Sequence, residues 1–409
     1  MKNMGKTEAA LAGRRVLEIA DESGAYCGKL LADMGADVIK IESPDGDRMR
    51  NSPPFVDDRK GANRSLSFLY LNTSKRGITL DIERKESLGL LRDLALSADI
   101  VLETLPVGRL EALGIGYASL SSEKPEIIVT SITGFGQTGR KAGWKSSDLV
   151  AAATGGPLYV TGEETDPPVS IAGQQQLWMA STFAASSSLI ALLHARRIGR
   201  GQHVDISIQE TTLATSHITG VGKWLDDGII PRRIGMALTA SVPSGSYPCR
   251  DGQIYLMVNR PKHWEALAAW IHEETGNQEV LNPLFEGSSS QRIEYRELLD
   301  IFISELTSAH SVEHIFHEGQ RRHIAFTPLY TTDQVASDPH LRSRDYFVEI
   351  EHPDVGGLRY PGAPFRHERT PWAIRGPAPT LGEHNREILC GELGLDEGEF
   401  LSLQEAGIV

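Results

Sequence analysis

The sequence predicts an α/β protein, with an open parallel sheet in its first part and a smaller α+β domain after it. Three observations carry that prediction. Short apolar runs alternate with stretches of helical periodicity through about the first 160 residues. A run, a helix and a second run make a βαβ unit, which implies parallel pairing. At "DDGIIPRRIG" the alternation stops, and turn, strand and helix signals follow in a different rhythm.

The elements follow in order. "VLEIA" reads as a short buried strand, and "DESG" as a turn whose Asp21 and Ser23 can accept hydrogen bonds from free N–H groups at a helix start. "AYCGKLLADM" has helical spacing, with Leu30, Leu31 and Met34 on one face and Gly35 as its C-terminal cap. "DVIKIE" is the second strand. "GITLDIE", "DIVLET" and "EIIVTSITGFG" are further strands, separated by the amphipathic "KESLGLLRDLALSA" and the short helix "GRLEALG". "QQQLWMASTFAASSSLIALLHARRIGRGQHVDISI" reads as a long helix rich in Ala and Ser, a Gly-rich turn and a strand. Small residues let helices approach closely, so this helix is expected to be central and well buried. "GSYPCRDGQIYLMV" and the helices around "KHWEALAAWIHEE" and "YRELLDIFISELT" make the smaller domain. "DYFVEIEH" and "LRYPGAPF" in the tail are expected to return to the first domain. The expected boundaries are 1–210 for the N-terminal part of the large domain, 211–235 for a linker and 236–330 for the small domain. A second linker spans 331–350, and 351–409 completes the large domain.

Composition narrows the function. The chain has 409 residues, 40% hydrophobic and 23% charged, which is ordinary for a soluble globular protein. Its formal net charge of −13 argues against nucleic acid or an anionic membrane as partner, because both need a basic footprint. Cys27, Cys249 and Cys390 lie far apart and form no disulfide or metal pattern. A reducing compartment is expected. The N-terminus lacks an apolar signal core, and no stretch reads as a membrane span. The expectation is a cytoplasmic protein.

Three motifs invite stronger readings. Gly134, Gly136 and Gly139 spell GxGxxG after a strand, but "RKAGWKSSD" follows instead of a helix, so a ligand-facing loop is preferred to a dinucleotide site. His310, His314 and His317 fall at i, i+4 and i+7, as on one helical face. Such a face can hold a metal, yet no acid or thiolate of matching spacing accompanies it, so a partly solvated face without metal is preferred. No GxSxG elbow is present. Cys27 lies near a helix start, where a thiol pKa can fall, but a small core residue is the preferred reading.

"LLADMGADVIKIE", "LNTSKRGITLDIE", "ADIVLETLPVGRLEALGIGY", "SITGFGQTG", "DLVAAATGG", "RRIGRGQHVDISIQE", "FTPLYTTDQVASDPHLRSRDYF" and "PTLGEHNREIL" stand in order along the chain. Together they resemble the family III CoA-transferases, the group of formyl-CoA transferase, carnitine CoA-transferase and α-methylacyl-CoA racemase. The resemblance implies a Rossmann-like large domain built from both chain ends, a small α+β domain, and two chains threaded into an interlocked dimer. It also implies a mechanism. An aspartate carboxylate attacks the acyl-CoA thioester to give a mixed anhydride, and CoA then returns to give an aspartyl-CoA thioester. In the racemase relatives the matching aspartate is an acid/base. Coenzyme A and its acyl thioesters are substrates, and no cofactor is held permanently.

The resemblance places that aspartate a fixed distance after Pro167-Pro168 and before "GRGQ". Both counts land on Leu177. The neighbours Gln174, Gln175, Gln176 and Trp178 are not acidic either. A carboxamide cannot form the anhydride by the same route. The glutamines are expected to cap and solvate the helix start, with hydrogen bonding of a thioester or carboxylate as the alternative. Family CoA contacts are also altered. Thr104 and Leu105 replace a polar or aromatic pair, and Ser43 and Ala112 stand where basic residues are usual. "SVPSGSYP" replaces a Gly-rich loop. Lys145 matches a CoA-contacting position and Leu80 keeps an apolar one. Lys145, Leu80, Thr104, Leu105, Asp21 and Ser23 are therefore the candidate CoA-binding residues, and Gln175, Gln176 and Leu177 the vestigial nucleophile region. The resemblance extends to heteromers of paralogous subunits. It implies a heterodimer or heterotetramer in which an Asp-bearing paralogue supplies the nucleophile. Succinyl-CoA is the expected donor and a carboxylic acid, benzylsuccinate among the candidates, the acceptor, as in anaerobic aromatic degradation. Two rival readings stand beside it. One is a self-sufficient acyl-CoA racemase, isomerase or lyase using Asp21, Glu22 or Asp148. The other is a non-enzymatic acyl-CoA binder.

Overall fold

Six short strands pair in parallel in the order β3-β2-β1-β4-β5-β6. They are β1 (Arg15–Ile19), β2 (Asp37–Glu42), β3 (Arg76–Thr79), β4 (Ile100–Glu103), β5 (Ile128–Thr133) and β6 (His203–Ser207). The computed structural model describes residues 9–235 and 241–409. Strand alternation sorts the side chains onto two faces. Leu17, Ile19, Ile39, Ile41, Val101 and Val129 point to one face, where the helix Leu88–Ser97 covers them. The chain end covers the same face, with Ile388, Leu389, Phe400, Ile408 and Val409 in that core. The Asp81 N–H donates to the Ile408 carbonyl at 2.8 Å. The large α/β body is thus built from both chain ends, as expected.

Val16, Val38, Ile100, Leu102, Ile128 and Ile132 point to the other face. The helices Glu22–Asp33 and Gln175–Ile198 cover it. Asp21 caps the first of them, its carboxylate accepting from the Ser23 N–H at 2.9 Å, and the chain turns away at Gly35 with φ +100°. The two helices meet through small residues, and Ser181 Oγ donates to the Ser23 carbonyl at 2.7 Å.

The long helix departs from expectation in two ways. Leu177, Ala180, Ala184, Ala191 and Ala195 are buried, but Phe183, Ile190, Leu193 and Ile198 are exposed, so only one face is central. By length and composition it is also apolar enough to cross a membrane, which the sequence reading denied to every stretch. The helix packs its small-residue face on β5, β6 and the first helix, as a core helix does.

Buried charge pins the sheet to the first helix. Glu18 and Lys75, both under 4% exposed, pair at 2.8 Å, and Lys40 pairs with Asp47 at 2.8 Å. Lys75 also donates to the Ala25 carbonyl and to Asn72 Oδ1, each at 2.9 Å. Cys27 is fully buried beside Glu18, and burial pushes its thiol well above its ordinary range, so it is a core residue and not a nucleophile.

Contacts divide the chain into two units, Met1–Leu158 with Ser170–Asp226 and Asp345–Val409, and Tyr159–Val169 with Asp227–Arg344. The first also holds the hairpin β10 (Phe347–His352) and β11 (Gly356–Pro361). In the second, β7 (Ser244–Cys249), β8 (Gly252–Met257) and β9 (Ala325–Pro328) form an antiparallel sheet. The helices Pro261–Thr275, Arg296–Ser308 and Val312–Arg321 share a core with it around Trp264, Trp270, Phe302 and Phe326. The buried Arg292 guanidinium donates to the carbonyls of Val242, Phe285 and Gly287 at 2.7–3.2 Å, closing the loops of this unit. The free thiols Cys27, Cys249 and Cys390 form no disulfide.

Candidate active site

The strand order reverses between β1 and β4, which makes the carboxyl ends of these strands the switch point of the sheet. Open α/β sheets bind ligands at such a point. Asp21 follows β1, and Thr104 and Leu105 follow β4. The Asp21 N–H donates to Thr104 Oγ1 at 2.9 Å, and the Thr104 hydroxyl donates to Asp21 Oδ1 at 3.1 Å. Gly24 makes the approach possible, because a Cβ there would fall 2.9 Å from the Thr104 methyl. Asp21, Ser23, Thr104 and Leu105 are therefore brought together at this switch point.

Lys145 reaches the same edge of the sheet. It is exposed on the loop after β5, and that loop lies against the strand end, since a Cβ on Gly134 would fall 2.3 Å from Ser146 Cβ. Gly136 and Gly139 both have positive φ and stay in this loop, with no helix opening after them. Leu80 is different. Its side chain is 1% exposed in the core, so it offers a ligand no surface.

Two groups here were missed by sequence reading. Arg48, 67% exposed, pairs with Asp21 at 3.0 Å and with Glu22 at 2.5 Å at the start of the first helix. It supplies a cation near β2, where Ser43 gives none, and the basic "GDRMRN" after that strand was its only signal. Glu103 ends β4 at 3% exposure. Burial pushes its carboxyl up to about 7, against the pull of hydrogen bonds from Ser131 and the Leu105 N–H.

The long helix Gln175–Ile198 begins at the glutamines. Gln174 occupies the cap position without a side-chain hydrogen bond, and among the described residues Gln175 Nε2 donates to the Ala172 carbonyl alone, at 3.3 Å. The expectation that the glutamines cap the helix is corrected. The cap is Asp148, whose Oδ1 accepts from the N–H groups of Gln176 at 2.8 Å and Leu177 at 3.3 Å. Ser147, the cap of the helix Asp148–Gly155, fixes Asp148 in its first turn. Burial raises the Asp148 carboxyl, and the two N–H groups oppose that shift. Gln176 is 2% and Leu177 3% exposed, with Leu177 in the core. Gln175, Trp178, Met179, Thr182, Phe183 and Thr215 line a shallow cleft of about 300 Å³ beside them. Tyr26 stacks on Trp178 at 5.2 Å.

The arrangement suits an anionic ligand. Arg48, held by Asp21 and Glu22, and the exposed Lys145 are its cations, whereas segment 174–178 carries amides and apolar groups and no carboxylate of its own.

The histidines need correction. His310 precedes the helix Val312–Arg321, whose cap is Ser311, so the three do not share a helical face. His310 and His314 stack at 4.4 Å, and His317 Nε2 lies 3.9 Å from Glu313. An acid does accompany them, because Glu274 lies 3.6 Å from His310 Nε2.

The profile of CoA-transferase family III matches residues 11–385. The chain is 33% identical over 406 residues to succinyl-CoA:(R)-benzylsuccinate CoA-transferase subunit BbsE of Thauera aromatica, covering 97% of each chain. It is 32% identical to succinyl-CoA:mesaconate CoA-transferase of Haloarcula marismortui, covering 95% of this chain and 98% of that one. Among solved structures it is similar to a CAIB/BAIF family protein from Brucella suis, with a TM-score of 0.81 at 28% identity over 94% of this chain and 99% of that one.

Proposed function

The chain belongs to CoA-transferase family III, and we propose that it is the nucleophile-free subunit of a heteromeric enzyme that moves CoA from succinyl-CoA to a carboxylic acid. One observation carries this reading. Where the family resemblance puts the nucleophilic aspartate stands Leu177, packed in the core, and the nearby Asp148 carboxylate is engaged by two backbone N–H groups. An Asp-bearing paralogue then supplies the attacking carboxylate. Two relatives whose names carry succinyl-CoA support the donor, and the relative named as a subunit supports a partner and makes benzylsuccinate the first acceptor to test. Arg48 and Lys145 are the cations offered to CoA phosphates, and Asp21, Ser23, Thr104 and Leu105 form the rim. Three free thiols fit a cytoplasmic setting.

The test is incubation with succinyl-CoA, alone and with the paralogue, followed by intact mass and peptide mapping of each chain. The expected result is no adduct on the isolated chain and a covalent acyl or CoA adduct on the partner's aspartate. Exchange by the isolated chain, with a thioester on Asp148 or Glu103, would replace this reading with the self-sufficient enzyme. Glu103 gives that second reading its basis, as a buried carboxyl at the end of β4 titrating near neutral pH.

A further inference from the structure

We propose that Glu274, His310 and His314 form a binding site for a divalent transition-metal ion. One ligand atom from each lies within 4.8 Å of the others. The three come from different places in the chain. Glu274 is in the last turn of the helix Pro261–Thr275, His310 joins the helices Arg296–Ser308 and Val312–Arg321, and His314 is in the first turn of the latter.

The backbone holds the imidazoles in place. The His310 carbonyl accepts from the Arg250 N–H at 2.9 Å, and the His314 N–H donates to Ser311 Oγ at 3.2 Å. Their ring nitrogens, by contrast, make no hydrogen bond among the described residues. The 3.6 Å between Glu274 and His310 is long for a hydrogen bond. It is close to the edge of a tetrahedron about a metal with ligand bonds of ~2.1 Å, which is ~3.4 Å. The His314 ring, stacked 4.4 Å away and 16° from parallel, must turn about its Cβ–Cγ bond to aim its nitrogen at the same point. Nothing hydrogen-bonded to that ring resists the turn.

The donor set chooses the ion. Two imidazoles and one carboxylate suit Zn²⁺, Ni²⁺ or Cu²⁺, whereas Mg²⁺ and Ca²⁺ prefer oxygen ligands. Three protein ligands leave one position for water. The bound ion would clamp the end of one helix to the junction of two others. His317 is left out, beside Glu313.

The test uses the full-length chain without an affinity tag, stripped with EDTA and titrated with Zn²⁺ against a chromophoric chelator. One ion per chain is expected, at a dissociation constant below ~10 µM. His310→Ala and His314→Ala should each weaken binding at least 10-fold, and His317→Ala should leave it unchanged. Zn²⁺ at saturation should raise the unfolding temperature of the parent by about 5 °C and of the His314→Ala variant by far less. Circular dichroism establishes that the variants are folded, and Glu274→Gln gives a second disruption if one is not. Absence of saturable binding, or binding that survives both histidine changes or depends on His317, would overturn the proposal.

Discussion

At the end of β4, Glu103 holds its proton far above the ordinary carboxyl range because its environment is nearly dry. The consequence for stability follows from proton counting. Below about pH 4.5 the folded and unfolded chains both carry the proton. Between there and about 7 the folded chain keeps a proton that the unfolded chain has released, so stability falls as pH rises through this window and levels off above it. The shift corresponds to at most ~3 kcal/mol. Glu103→Gln removes the titration and keeps an acceptor for the Leu105 N–H. Urea unfolding at pH 5 and pH 8 should show the variant gaining on the parent at the higher pH. Equal pH dependence in the two proteins would mean that Glu103 is not the group responsible.

Gly28 sits where the first helix crosses the sheet, and a Cβ there would fall 1.7 Å from Glu18 Oε2. The carboxylate cannot move aside without leaving Lys75, which is itself buried. Gly28→Ala should therefore cost on the order of 3–5 kcal/mol, as breaking a buried pair does. Gly89, in the helix Leu88–Ser97, has open space around its Cβ position. Gly89→Ala should be neutral or stabilise by up to ~1 kcal/mol. Denaturant midpoints of both variants separate the two cases, and similar small effects would show that the Glu18–Lys75 pair tolerates displacement.

At the scale of the whole molecule, the long helix leaves an apolar face exposed, where Ile190 and Leu193 are 65% and 63% exposed. Patches of this kind mark contact sites. We propose that assembly with a second family chain covers it, as the interlocked dimer implied by the family would. Light scattering of the full complex at decreasing concentration should give a dimer or larger species. Leu193→Lys should raise its dissociation constant at least ~10-fold. A Leu193→Lys variant that keeps the parent's mass across the same dilutions would place the interface elsewhere.

Local pattern determined a great deal by itself. Short apolar runs around amphipathic helices dictate parallel strands, because only a crossover helix can return the chain to the same edge direction. The absence of acid within 174–178 is also fixed by the sequence, and the carboxylate that does stand against the segment, Asp148, is brought there only by folding. What the tertiary structure decided are relations between distant residues. Asp148, 28 positions before Gln176, caps the long helix because its own cap position holds Gln174, which makes no such bond. Leu80 became core because Ile388 and Leu389, from the far end of the chain, share the cluster on its face of the sheet. Glu274 met His310 because three helices pack on one core, and no spacing rule reaches across 36 residues. Hydrogen bonds, desolvation and ligand convergence depend on separations of a few ångströms, and periodicity encodes only which face a side chain takes, not which distant partner it finds there.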